Sequence, residues 1–93
     1  THMDQNKSTR GDFMEQKIKQ DLRIGENIRI IRKARKLGQT DLVRMLQIDG
    51  CDMTRECLVK IERGTQHIQA TQLQAIKKAL HTTYDALIDG IEE

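Results

Sequence analysis

The chain of 93 residues has no proline and no tryptophan, and only one phenylalanine and one tyrosine, Phe13 and Tyr84. Without proline, glycine and polar turn residues are left to punctuate the chain, which favours helices joined by short turns over a sheet sandwich. Two aromatics cannot wall a catalytic pocket of the usual apolar kind. Cysteine is scarce as well. Cys51 and Cys57 lie six apart and lack the paired spacing of a zinc site or a redox motif, so Cys57 is expected to be a buried free thiol. The only serine is Ser8, no nucleophile stands beside a histidine, and neither paired carboxylates nor a phosphate loop can be found. A protein that is not an enzyme, and needs neither metal nor other cofactor, is expected. No apolar run is long enough to cross a bilayer and no signal peptide is evident, so a cytoplasmic location away from membranes is expected.

Charge is present in quantity and unevenly placed. Asp85, Asp89, Glu92 and Glu93 end the chain with no basic residue among them, so residues 1–84 hold all sixteen Lys and Arg against ten Asp and Glu. A basic body with an acidic end suggests a polyanionic partner.

Thr1, His2 and Met3 read as a tag remnant, and residues 4–12 are polar and aperiodic, which predicts a mobile tail. Met14, Ile18 and Leu22 recur every four positions, predicting a helical extension over 13–23 that leads into the next element or packs on a partner. The body is expected over 24–90, with 91–93 as an acidic end. Its first helix spans Ile24 to Lys36, with Ile24, Ile28 and Ile31 as a stripe and cations crowding the last turn. Leu37-Gly38 breaks the pattern. A short helix from about Gln39 to Gln47 turns Leu42, Val43 and Leu46 inward, and Asp49-Gly50 marks a turn. After Gly64, Ile68 is expected to plug the core from a loop. A fourth helix covers about Thr71 to Leu80 with a Thr71/Gln74 capping box, or starts two residues earlier, its inward residues being Leu73, Ile76, Ala79 and Leu80. The Thr82–Asp85 box introduces a fifth, from about Thr83 to Ile88, burying Tyr84 and Leu87 and closed by Gly90.

Between the second and fourth helices runs TRECLVKIERG, residues 54–64, the best-defined segment of the chain. Thr54 can accept a backbone N–H of the first turn, and Gly64 can supply the left-handed residue that ends the helix. Cys57, Leu58 and Ile61 fall on one side; Arg55, Glu56, Lys60 and Arg63 fall largely on the other. A helix this short needs docking, which leaves a mixed-charge rod narrow enough for a DNA major groove.

These helices carry a recurrent set of residues. Ile24-Gly25 and Ile28 open the first helix, with Arg32 further along it and Gln39 with Leu42 in the second. Ile61-Glu62-Arg63-Gly64 ends the third, followed by Leu73, Ile76, Ala79-Leu80 and Leu87. The ordered set, over about 70 per cent of the chain, resembles the Cro/repressor-type helix-turn-helix family of bacterial and phage regulators. The resemblance implies an all-α fold of five helices, with the third as recognition helix. Two features depart from the family. Seven residues separate Leu46 from Thr54, about five more than usual, which bears on the aim of the third helix. The run Lys36-Leu37-Gly38 stands where the family more often has Gly, Leu, then Thr or Ser, so the second helix is capped by glycine.

The resemblance implies specific roles. Arg55, Glu56 and Lys60 fall where family members meet bases, and Thr54, at the cap, is counted with the DNA-binding residues. Arg55 can bind guanine O6 and N7 together, and Glu56 can accept from cytosine N4. A simpler reading, ranked first for Glu56, has it support the helix N-terminus and pair with Lys60 at i,i+4. Gln39, Thr65, Gln66 and His67 fall where the family meets the phosphate backbone, and Arg63 either joins them or caps its own helix. Arg32 and Glu62 are expected to form a partly buried pair that holds the third helix on the first. The implied partner is double-stranded DNA bound by a homodimer, with a role in transcription regulation as a repressor. The alternative is a protein-interaction module of the same fold, such as an antitoxin with a toxin partner.

Overall fold

A computed structural model describes residues 21–90, and these form five helices with no strand among them. The first, α1, is helical from residue 21 to residue 34. It is followed by α2 (Gln39–Ile48), α3 (Arg55–Arg63), α4 (Ala70–Leu80) and α5 (Tyr84–Asp89). The expected tail and most of the 13–23 extension fall outside the described residues. Where they overlap, α1 runs without a break across the expected boundary at Ile24. Leu22 lies against Gly64 and Asp21 meets His67 at 2.8 Å, so residues 21–23 belong to the packed unit.

One core holds the helices together. Ile24, Ile28 and Ile31 of α1 meet Leu42, Val43 and Leu46 of α2, with Leu58 and Ile61 of α3. Ile76, Ala79 and Leu80 of α4 and Leu87 of α5 complete it, and Ile68 plugs it from the loop as its lone apolar character predicts. Each large side chain fully buried there contributes about 1.5–3 kcal/mol, against the backbone entropy of ordering the chain. Polar side chains of α1 tie the layers. Asn27 Nδ2 donates to the Leu87 carbonyl at 2.8 Å, and Arg35 Nε donates to the Leu80 carbonyl at 2.9 Å.

The first four helices end alike. In each, the left-handed residue donates to the carbonyl three back and its successor to the carbonyl five back, which satisfies groups the helix leaves unpaired. The successors are Leu37 to Arg32, Cys51 to Leu46, Thr65 to Lys60 and Thr82 to Lys77, all at 2.8–3.1 Å. The left-handed residue is Gly50 after α2 and Gly64 after α3, but Lys36 (φ 60°) after α1 and His81 (φ 52°) after α4. Lys36 therefore holds a conformation that costs a residue with a Cβ about 1–2 kcal/mol. Lys36→Gly is expected to raise the unfolding free energy by about 1 kcal/mol. An unchanged urea midpoint would show that the turn is not strained.

One expectation is resolved and two are corrected. Helix α4 takes the earlier of its two expected starts: Gln69 is the cap, its N–H donates to Gln72 Oε1 at 2.9 Å, and the helix proper begins at Ala70. Gln69 and Gln72 have the same i,i+3 spacing as Thr71 and Gln74, and the turn that packs Ile68 selects the earlier pair. Helix α5 is capped by Thr83, whose Oγ1 accepts from the Ala86 N–H, rather than by the Thr82–Asp85 box. Tyr84 is not buried; its ring stays at the surface beneath Lys77 Nζ, 4.9 Å from the ring centre. Leu87 already fills the inward position, and a phenol at the start of α5 keeps its hydroxyl in water.

Candidate nucleic-acid interface

Helix α3 is built as its caps suggest. Thr54 Oγ1 accepts from the Cys57 N–H at 3.1 Å, and Gly64 takes φ 76° at the other end. The stretch between α2 and Thr54 is braced at two points. Met53 is 1% exposed, a core residue that the turn-like run IDGCDM conceals, because one apolar side chain in a polar loop has no periodicity to betray it. Gln47 Nε2 donates to the Met53 carbonyl at 3.0 Å. The long connection is thereby pinned to the core immediately before the cap of α3.

The structure brings Arg32 and Glu62 together. Arg32 Nε donates to Glu62 Oε2 at 2.7 Å and Nη2 to Oε1 at 3.0 Å, with both side chains buried. Arg32 Nη1 donates to the Leu37 carbonyl at 2.8 Å, and Gln39 Nε2 donates to Glu62 Oε1 at 3.1 Å. One carboxylate thus joins α1, α2 and α3 by accepting three hydrogen bonds from two side chains. Gln39 is half-buried and spends one amide hydrogen on Glu62; the other is left for an outside acceptor.

With Leu58, Ile61 and Glu62 inward, Arg55, Glu56, Lys60 and Arg63 are all exposed. Glu56 and Lys60 stand farthest from the buried side at 3.6 residues per turn, with Arg63 beside them and Arg55 at the edge nearest α2. Arg29, Gln39, Arg55, Val59, Glu62 and Arg63 line a shallow cleft of about 440 Å³ between α1, α2 and α3. Arg55, Glu56, Val59, Lys60 and Arg63 line a second, of about 290 Å³, along α3 itself. Two contributors went unmarked in the sequence. Arg29 is one of the many cations of α1, and Val59 is a partly exposed apolar residue on the flank of α3, between its buried and its charged side. The expected Glu56–Lys60 pair is not formed: among the described residues Arg and Lys side chains make one carboxylate pair, Arg32–Glu62. Water screens two exposed flexible ends, and the entropy of holding them together exceeds the gain.

The loop after α3 is occupied locally. Thr65 Oγ1 donates to the Lys60 carbonyl at 3.1 Å, Gln66 Nε2 donates to Cys57 Sγ at 3.0 Å, and His67 Nδ1 meets Asp21 Oδ1 at 2.8 Å. Thr65 and His67 remain exposed. No family model, curated protein or solved structure matches this chain.

Other chemistry is sparse. Both cysteines are free and half-buried, so Cys57 is less enclosed than expected. Burial pushes the Cys51 thiol above its ordinary range, and neighbouring Cys57 and Asp52 add to the shift. That is opposite to the shift that activates a thiol nucleophile. Among the described residues no group of three or more His, Cys, Asp or Glu is placed to hold a metal ion, and no helix is long and apolar enough to cross a membrane.

Proposed function

We propose that this chain is a repressor-like helix-turn-helix domain that binds double-stranded DNA sequence-specifically, with α3 in the major groove, and acts in transcription regulation. The observation that carries the reading is the Glu62 junction. It fixes α3 on α1 and α2 while leaving Arg55, Glu56, Lys60 and Arg63 outward, beside a cleft that Arg29 and Gln39 also line. An outward row of mixed donors and acceptors on a rigid helix is what reading base edges requires. Cations at the flank supply phosphate contacts, which set register rather than sequence. One short helix covers few base pairs, so a homodimer on a two-fold site is the economical way to reach useful specificity. The work is recognition, with no catalytic step assigned.

Selection from random duplexes tests this directly. The expected result is an enriched site with two-fold symmetry, bound with an affinity that falls steeply as salt rises. Arg55→Ala should weaken that site by roughly ten- to a hundredfold, the worth of one specific base contact, and relax preference at one position per half-site. Equal binding to all duplexes, or to none, would remove the proposal.

A further inference from the structure

Resting on the DNA-binding reading, we infer that Val59 reads the C5-methyl group of a thymine in each half-site. Val59 is absent from the core and from the side chains packed against it, yet it is only partly exposed. Its setting is charged: Arg55, Glu56, Lys60 and Arg63 surround it in the cleft along α3, and Arg29, Gln39 and Glu62 join it in the neighbouring one. An apolar protein partner calls for a broad apolar patch, which a lone valine among charges does not make. A polyanion carrying one small apolar group matches the setting better. The major groove offers one such group, the thymine methyl. A β-branched side chain is nearly restricted to one χ1 rotamer in a helix, so Val59 would meet the methyl already ordered.

The position supports the same conclusion. Val59 stands one turn beyond Arg55 and one turn before Arg63, with Lys60 next along the helix. Cationic ends reaching phosphates or guanines on either side would bring this short side chain against the groove floor. The charged neighbours supply affinity and register; the valine supplies a distinction between thymine and cytosine that charge cannot make.

The test begins with the site selected by the unaltered protein. Each thymine is replaced singly by deoxyuridine, which removes only the methyl. One thymine per half-site should show a loss of roughly three- to fivefold, the worth of one buried methyl. Val59→Ala should bind the unmodified site about that much more weakly and be indifferent to deoxyuridine at the same position. Val59→Thr, of nearly the same shape, controls for packing, and circular dichroism checks that each variant is folded. A site with no methyl-sensitive thymine, or a Val59→Ala variant that keeps the full deoxyuridine penalty, overturns the inference and leaves DNA binding intact. Failure to enrich any site overturns the DNA-binding reading, and the inference with it.

Discussion

Gly25→Ala is expected to destabilise the domain by about 3 kcal/mol or more, enough to lower its melting temperature by roughly 12 °C or to prevent folding. Helices α1 and α3 touch backbone to backbone at this residue. A Cβ added to Gly25 would lie 2.1 Å from the Ile61 carbonyl oxygen and 2.9 Å from that of Glu62. Both obstacles are main chain in the last turn of α3, so no rotamer change relieves them. The helices would have to separate by more than an ångström, and Arg32, two turns along α1, would be drawn from Glu62. Gly50→Ala is the contrasting case. Nothing lies within 4 Å of its added carbon, but its φ of 90° imposes backbone strain, about 1 kcal/mol. Thermal and urea unfolding followed by circular dichroism measure both. A Gly25→Ala protein within about 0.5 kcal/mol of the unaltered one would mean that α1 and α3 are not in backbone contact.

The second large effect concerns the buried ion pair. Arg32→Ala is expected to cost about 3–5 kcal/mol, because it leaves the Glu62 carboxylate in the protein with only Gln39 as a side-chain donor. It also strips the Leu37 carbonyl of its guanidinium partner. Glu62→Ala strands the guanidinium instead, with the Leu37 carbonyl as its remaining acceptor. The double variant Arg32→Met, Glu62→Leu removes both charges while keeping volume, and should be more stable than either single alanine variant. The corresponding double-mutant cycle should show a coupling well above the few tenths of a kcal/mol typical of independent sites. A coupling indistinguishable from zero would show that the two side chains act separately, and that Glu62 is not what orients α3.

These two results concern positions that the sequence exposes unequally. Arg32 and Glu62 were linked through the family resemblance, thirty residues apart; nothing in their local spacing predicts that they meet. The caps at Thr54 and Gly64 could be read directly, because capping depends on three or four consecutive residues. So could the inward stripes of α1, α2 and α3, whose side follows from helical period alone. Tyr84 marks the limit of that pattern. Period identifies a side of a helix, but a six-residue helix has too few positions to say how deep each one lies.

What the sequence alone determined is therefore the set of helices, most of their ends and the division of α3 into an apolar side and a charged one. These follow from hydrogen bonding and hydrophobic pattern within a few residues. Only the tertiary structure decided that Met53 enters the core, that Gly25 is a point of backbone contact, that Gln39 shares the Glu62 carboxylate and that Val59 is left among charges outside. Each depends on which residues distant in the chain are brought within a few ångströms, and packing of the whole core is what selects them.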